Sequence, residues 1–380
     1  MIRFSYWKFK KEYTLDEVII KLNNKKTVTN SSNCIASISE NSDIVKKETY
    51  ISSKTIEYIF FKILISHPET EEIPEETKIL IYNNSENKLK MIVFRGITNV
   101  QKHIDKYFKK NDWGAIVYDT PAITEDLLYW MFKFYMDTPS NPLSSLGNIY
   151  INLLTAYSGV TKDRNNTLSG NGDRICEILG TLAFLLSNDD LQMLRPQVHY
   201  KSEKENHNII IEFKPKGTFS IDESSYNGDL LKKHTKEDLK HILVILCTNN
   251  IIPNIIYAYL EAKENEKWNI SLKKDFIERM GSKIKARVDI ELNKLGKEIA
   301  EEKSFEKKAK NIANNVKKIE EKAKDIVSQT ESEGENKQIT IFDDFIKLIN
   351  ELKAEPIENK VLITSENDID GYFTDDDSDC

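Results

Sequence analysis

The stretch Asn208–Asp222, NIIIEFKPKGTFSID, points to antiparallel sheet. Two runs rich in β-branched and aromatic residues, Asn208–Lys214 and Thr218–Asp222, flank Pro215-Lys216-Gly217, a turn composition. Side chains alternate along a strand, so Ile209, Ile211 and Phe213 fall on one face and Ile210, Glu212 and Lys214 on the other. This is the pattern of a hairpin with one buried face.

Outward from it the same logic repeats. Lys78–Tyr82 and Lys88–Phe94 flank Asn83–Asn87 as a second hairpin. Ile2–Phe9, with Phe4, Tyr6, Trp7 and Phe9, reads as a strand, as do Ala115–Tyr118 and Ile149–Tyr157. Thr55–Ile65 fits a helix or a buried strand equally, and Asn23–Asp43 has the composition of a loop. Helices are expected after the caps Thr14 and Thr124, over Asp173–Ser187, after Thr235, and over Pro253–Glu264. The expectation is an α+β fold: a mixed body over residues 1–264, with antiparallel hairpins in two meander-like regions and several helices. A sub-boundary is expected near 138–148, where Pro139 and Pro142 break the chain.

From Leu272 the composition changes. No proline occurs up to Ile326, and Phe305, Ala309, Ile312, Val316, Ile319, Ala323 and Ile326 recur four and three residues apart, an a/d seam. Residues 272–327 are therefore expected to form a long charged helix, with a homodimeric coiled coil through 305–326 or a helical hairpin against the body as alternatives. Residues 328–337 read as a linker, and 338–380 as a short amphipathic helix followed by an acidic tail.

The totals restrict function. The 380 residues carry a net charge of −7, which argues against a wholly nucleic-acid-coating surface but not against a local basic stripe. Cys34, Cys176, Cys247 and Cys380 are far apart in sequence, so no CxxC zinc or redox pattern exists, and a reducing, cytoplasmic compartment is expected. No signal peptide is visible. The best membrane candidate, Ile242–Leu260, is interrupted by Asn249, Asn250, Pro253 and Asn254, so no membrane association is expected. The many Asn, Ile and Lys residues suggest an AT-rich bacterial or phage genome.

Four constellations bear on chemistry. Glu212 and Lys214 share a strand face, and Asp190 lies upstream. This order resembles the core of PD-(D/E)xK nucleases, which implies carboxylates holding Mg²⁺ and a lysine beside the phosphate. No proline precedes Asp190, and Asp189-Asp190 reads as a helix-terminating loop, both departures from that pattern. The competing reading is a plain hairpin with Glu212 and Lys214 as exposed cross-strand partners. Ser169-Gly170-Asn171-Gly172-Asp173 precedes an expected helix but lacks a Walker lysine, so it reads as a turn with Asp173 as N-cap.

Gln338-Ile339-Thr340-Ile341-Phe342 resembles the bacterial sliding-clamp-binding motif. The resemblance implies that Gln338, Ile341 and Phe342 dock on a clamp, or another partner, through 338–345. The alternative is the lead-in to a helix capped by Thr340. Finally, Lys273, Lys274, Arg279, Lys283, Lys285 and Arg287 form a basic stretch able to meet DNA phosphates, or simply a solvated helix face. The histidines form no HExxH pair and no metal site, and His207 reads as a polar turn residue. With no complete catalytic motif, whether the chain is an enzyme stays open. The leading expectation is a cytoplasmic bacterial or phage accessory protein of the antiviral-defence type, DNA-associated or partner-binding and without cofactor. The alternatives are a Mg²⁺-dependent nuclease and a coiled-coil assembly protein.

Overall fold

The structure, a computed structural model, describes residues 1–330 apart from 30–33, 41, 43, 68–72, 85, 97–99, 120, 163, 188–189 and 216. The linker, the clamp-like motif with Gln338, Ile341 and Phe342, and the acidic tail thus lie outside the described residues, as does Lys216 of the opening hairpin. The chain divides into two compact units, Met1–Ile290 and Glu291–Cys380.

The first unit is mixed α+β, built on one large antiparallel sheet. Its first strand, β1 (Ile2–Phe9), is followed by α1 (Leu15–Asn24) and the short strands β2 (Thr27–Thr29), β3 (Ile35–Ile38) and β4 (Lys47–Ile51). Next come β5 (Lys54–Ser66), β6 (Glu75–Asn83) and β7 (Leu89–Val93), then α2 (Val100–Tyr107), α3 (Lys110–Trp113) and β8 (Ile116–Tyr118). After α4 (Glu125–Asp137), the second half runs β9 (Ile149–Val160), β10 (Thr167–Asn171), α5 (Leu179–Ser187), β11 (Asp190–Lys201), β12 (Asn206–Lys214) and β13 (Thr218–Gly228). Helices α6 (Lys236–Leu246), α7 (Ile252–Glu264) and α8 (Ile270–Thr330) follow.

The two expected meanders are not separate. The order is β10-β9-β11-β12-β13-β1-β7-β6-β5-β3-β2, with β4 added on β5 and β8 on β1. β1 joins the halves: Phe4 lies opposite Phe219 of β13, and Tyr6 opposite Ile92 of β7. The hairpin over 208–222 forms as the alternation requires, with Phe213 opposite Phe219.

Strand alternation then builds two cores. On one face Phe4, Tyr58, Leu80, Ile211 and Phe219 pack under α4–α7 and the start of α8. On the other, Trp7, Ile59, Phe61, Ile79 and Ile81 pack under α1–α3. That second core reaches only the β1–β7 half. The outer face of β9–β13 is polar, with Asn152, Arg195, His199, Asn208 and Glu212 on it.

One open sequence reading is settled and several expectations are corrected. Thr55–Ile65 is strand, since its alternate residues are needed by both cores. Part of Asn23–Asp43 forms β2 and β3. Asp190 begins β11 instead of ending a helix. Ser169-Gly170-Asn171 belongs to strand β10, where Gly170 lies opposite Tyr157; a Cβ there would stand 2.4 Å from the Tyr157 ring.

The Asn249–Asn254 interruption does not break the helix. A π turn at Cys247–Ile251 carries α6 into α7 ahead of Pro253, which has no N–H to donate. The joined run Lys236–Glu264 is long and apolar enough to cross a membrane, but 67% of its most apolar window is buried in the body, where it acts as core.

Candidate functional site

Around Glu212 the structure brings together part of the expected constellation. Glu212 accepts from Arg195 Nη2 and from Lys214 Nζ, both at 2.8 Å, and is only 6% exposed. Burial works against its charge, but the two cations outweigh it and hold its pKa below the usual carboxylate value. Asp190 is not part of this group. It stands five positions along β11 from Arg195, roughly 16 Å at strand rise, and close enough to Glu125 at the start of α4 to help burial raise that carboxyl's pKa. Among the described residues no three His, Cys, Asp or Glu side chains gather as a metal-holding group. The pair therefore acts as an ion-pair clamp between β11 and β12.

The basic stretch on α8 is largely occupied in fastening the helix. Arg279 donates two hydrogen bonds to Asp137 at 2.7 and 2.9 Å, Arg287 donates to the Glu177 carbonyl, and Lys273 stands 4.1 Å over the Tyr129 ring. Lys274 pairs with Glu278 on its own helix. Lys283 sits near Cys176, and Lys285 is exposed.

His207 is not a turn residue but fully buried. Its Nδ1 is 2.8 Å from the Tyr226 hydroxyl and its Nε2 is 3.5 Å from Glu205. Glu205 also accepts from the Ser52 N–H and from Lys233. His207, Glu205 and Tyr226 are buried, Lys233 reaches them from the surface, and the array ties β12 to the β4–β5 turn.

A further basic feature lies where the chain leaves β1. Lys8-Phe9-Lys10-Lys11-Glu12-Tyr13 faces the tip of the β6–β7 hairpin, Asn87–Lys90, across a cleft of about 720 Å³. Five lysines, Lys8, Lys10, Lys11, Lys88 and Lys90, line it against Glu12 and Glu17. Glu17 is committed locally, since its carboxylate accepts from the Thr14 N–H in a complete capping box at the start of α1. The aromatic side chains order the loop. The Tyr13 ring lies 5.6 Å from Phe9 and 5.9 Å from Trp113, with Lys11 and Lys21 over it at 5.3 and 5.6 Å. No acidic partner holds the Lys10 or Lys11 ammonium among the described residues, and both side chains are exposed. The result is a groove of cations with interleaved aromatics.

No family model matches the chain, and no curated protein matches its sequence.

Beyond Lys90 the groove opens into a second cavity of about 400 Å³ between β1, the β6–β7 hairpin and α7. Lys8 and Lys90 both donate to Asp119, at 2.8 and 2.7 Å. Burial opposes the charge on Asp119, but these hydrogen bonds prevail and hold its pKa low. Each ammonium still has two further N–H groups for a ligand. On the cavity floor Tyr82 and Thr248 share a 2.8 Å hydrogen bond, while the buried Tyr6 hydroxyl has no partner among the described residues. Neither feature was drawn from the sequence. The groove could have been, because Lys8–Tyr13 alternates lysine with aromatics, a pattern masked by its overlap with a strand and by the acidic total.

Proposed function

We propose that this chain is a non-enzymatic accessory protein of bacterial or phage type that binds nucleic acid, DNA in the first instance, along the Lys8–Tyr13 groove. The observation that carries the reading is the cluster of five lysines beside Phe9 and Tyr13, two of them, Lys10 and Lys11, held in no ion pair among the described residues. Phosphates would displace the counterions of these lysines, and the half-buried Phe9 and Tyr13 rings would supply stacking surface. On this reading the Leu272–Ile326 helix and the segment from Gln338 recruit partners, with a sliding clamp docked through Gln338, Ile341 and Phe342. A cytoplasmic antiviral-defence role fits such an arrangement and remains part of the proposal.

Fluorescence anisotropy with labelled single-stranded and duplex DNA tests it. The wild-type protein should bind at low salt, and the Lys10→Ala/Lys11→Ala variant should bind about tenfold more weakly with a salt slope reduced by about 1.5–2. Equal binding by both proteins would remove the groove from the account. Recruitment is checked by pull-down with the cognate clamp, which Phe342→Ala should abolish.

A second reading is favoured by one further observation. Within the second unit the seam residues Phe305, Ile312 and Val316 are 71%, 60% and 48% exposed. We infer that this helix pairs with a second copy of the chain, which light scattering of the full-length protein would detect as a dimer.

A further inference from the structure

The cavity next to the groove has a composition that the groove does not explain. One wall is apolar and belongs to α7: Pro253, Ile256, Tyr257 and Leu260 face it, with Tyr257 47% exposed. The floor is polar, with the Tyr82–Thr248 pair and, just beneath it, the Tyr6 hydroxyl, which has no hydrogen-bond partner among the described residues; Glu86 and Asp119 line the cavity too. A buried hydroxyl with no partner costs free energy in the empty protein, and a ligand that supplies the partner recovers it. The π turn that brings Thr248 and Asn249 to the floor is a feature frequent at functional sites. Lys90 lines both the cavity and the groove.

A flat heteroaromatic ring with polar edges suits this shape. Its face would lie against Tyr257 and Ile256, its edge would turn toward Tyr6, and a phosphate attached to it would stand at Lys90, the residue shared with the groove. The volume accommodates one nucleotide and leaves no room for a duplex.

We propose that the cavity receives a single nucleobase turned out of a strand held in the lysine groove, so that the protein prefers single strands or locally opened duplex. This inference rests on the groove reading for its choice of ligand. It adds a base-binding subsite with Tyr257 as stacking platform and Tyr6 as edge contact.

The test uses the full chain and three probes at one salt concentration: a single-stranded oligonucleotide, the same strand with abasic sites throughout, and a strand carrying one 2-aminopurine. The base-bearing strand should bind about tenfold more tightly than the abasic one. Tyr257→Ala should erase most of that advantage while leaving abasic binding unchanged. Tyr6→Phe, which removes only the hydroxyl, should lower base-bearing affinity severalfold without lowering Tm, because no protein partner is lost. The 2-aminopurine emission should rise on binding as the base leaves its stack. Equal affinity for base-bearing and abasic strands, with Tyr6→Phe and Tyr257→Ala both silent, would overturn the cavity inference and leave the groove standing. Failure of the wild-type protein to bind any strand would overturn both.

Discussion

At the scale of single residues, the polar groups inside the body make its stability depend on pH. His241 stacks on Phe60 with ring centroids 3.7 Å apart. Burial, helped by Lys47, pushes its pKa down to about 4 from the ordinary 6.5. His103, His207 and His234 are displaced in the same direction, each chiefly by burial. A histidine whose folded pKa is depressed favours the neutral form, so the unfolded chain binds more protons as pH falls. Its contribution is complete above pH 6.5 and is lost between 6.5 and the folded value. Urea denaturation at pH 7.5 and pH 5 should show this loss. In His241→Phe, which keeps the stack, the drop should be smaller by about 2 kcal/mol; an unchanged drop would mean His241 is not the responsible group. Below about pH 4.5 a second loss is expected as Glu205 and Glu212, whose pKa values their cation partners hold down despite burial, become protonated. Alternation alone placed Glu212 and Lys214 opposite Phe213, so that pair was legible. The burial of His207 was not, because Tyr226, and the Lys233 that pairs with its neighbour Glu205, are brought there only by tertiary pairing.

At the scale of elements, strands with one buried face were the most readable, since period-2 patterning survives there. Strands inside the two-faced half were harder. β5 buries Ile56 and Tyr58 on one side and Ile59, Phe61 and Ile63 on the other, which leaves no polar face to mark the period. The helix of the second unit offers the reverse case, a clear period with no cover among the described residues. Leu292, Leu295 and Ile299 continue the seam toward the N-terminus and are also exposed. Glu302 takes the next seam position and the phase slips three residues to Phe305, a local overwinding. Apolar side chains in such a row are not held in water without a partner, and long unsupported helices are marginal. Ile312→Glu should therefore convert a dimer to a monomer by light scattering and reduce helical circular dichroism at 222 nm. A monomeric wild-type protein at tens of micromolar would end the coiled-coil reading.

At the scale of the whole first unit, the decisive contact is the one least visible in sequence: the first strand of the chain closes the sheet between β13 and β7. Phe4 is fully buried, stacks on Phe219 with centroids 5.7 Å apart, and packs beside Tyr6. Local pattern identified Ile2–Phe9 as a strand, but no local signal says that its neighbour lies more than 200 residues away. Because β1 is hydrogen-bonded to both halves, neither half has a complete core without it. The two halves should then unfold together. Phe4→Ala should cost about 3–5 kcal/mol, the range for emptying a buried aromatic site, and should do so without separating the halves. The check is equilibrium unfolding of the variant followed by two probes, tryptophan fluorescence and amide hydrogen exchange of β9–β12. Coincident transitions at a lowered midpoint are expected. Separated transitions, with the β9–β13 half surviving, would show that β1 only borders that half. The same position ties fold to binding, since Tyr6 and Lys8 project from this strand to the cavity and the groove. A variant that loosens β1 should therefore lose strand affinity before it loses global structure, because both subsites depend on the register of one eight-residue segment.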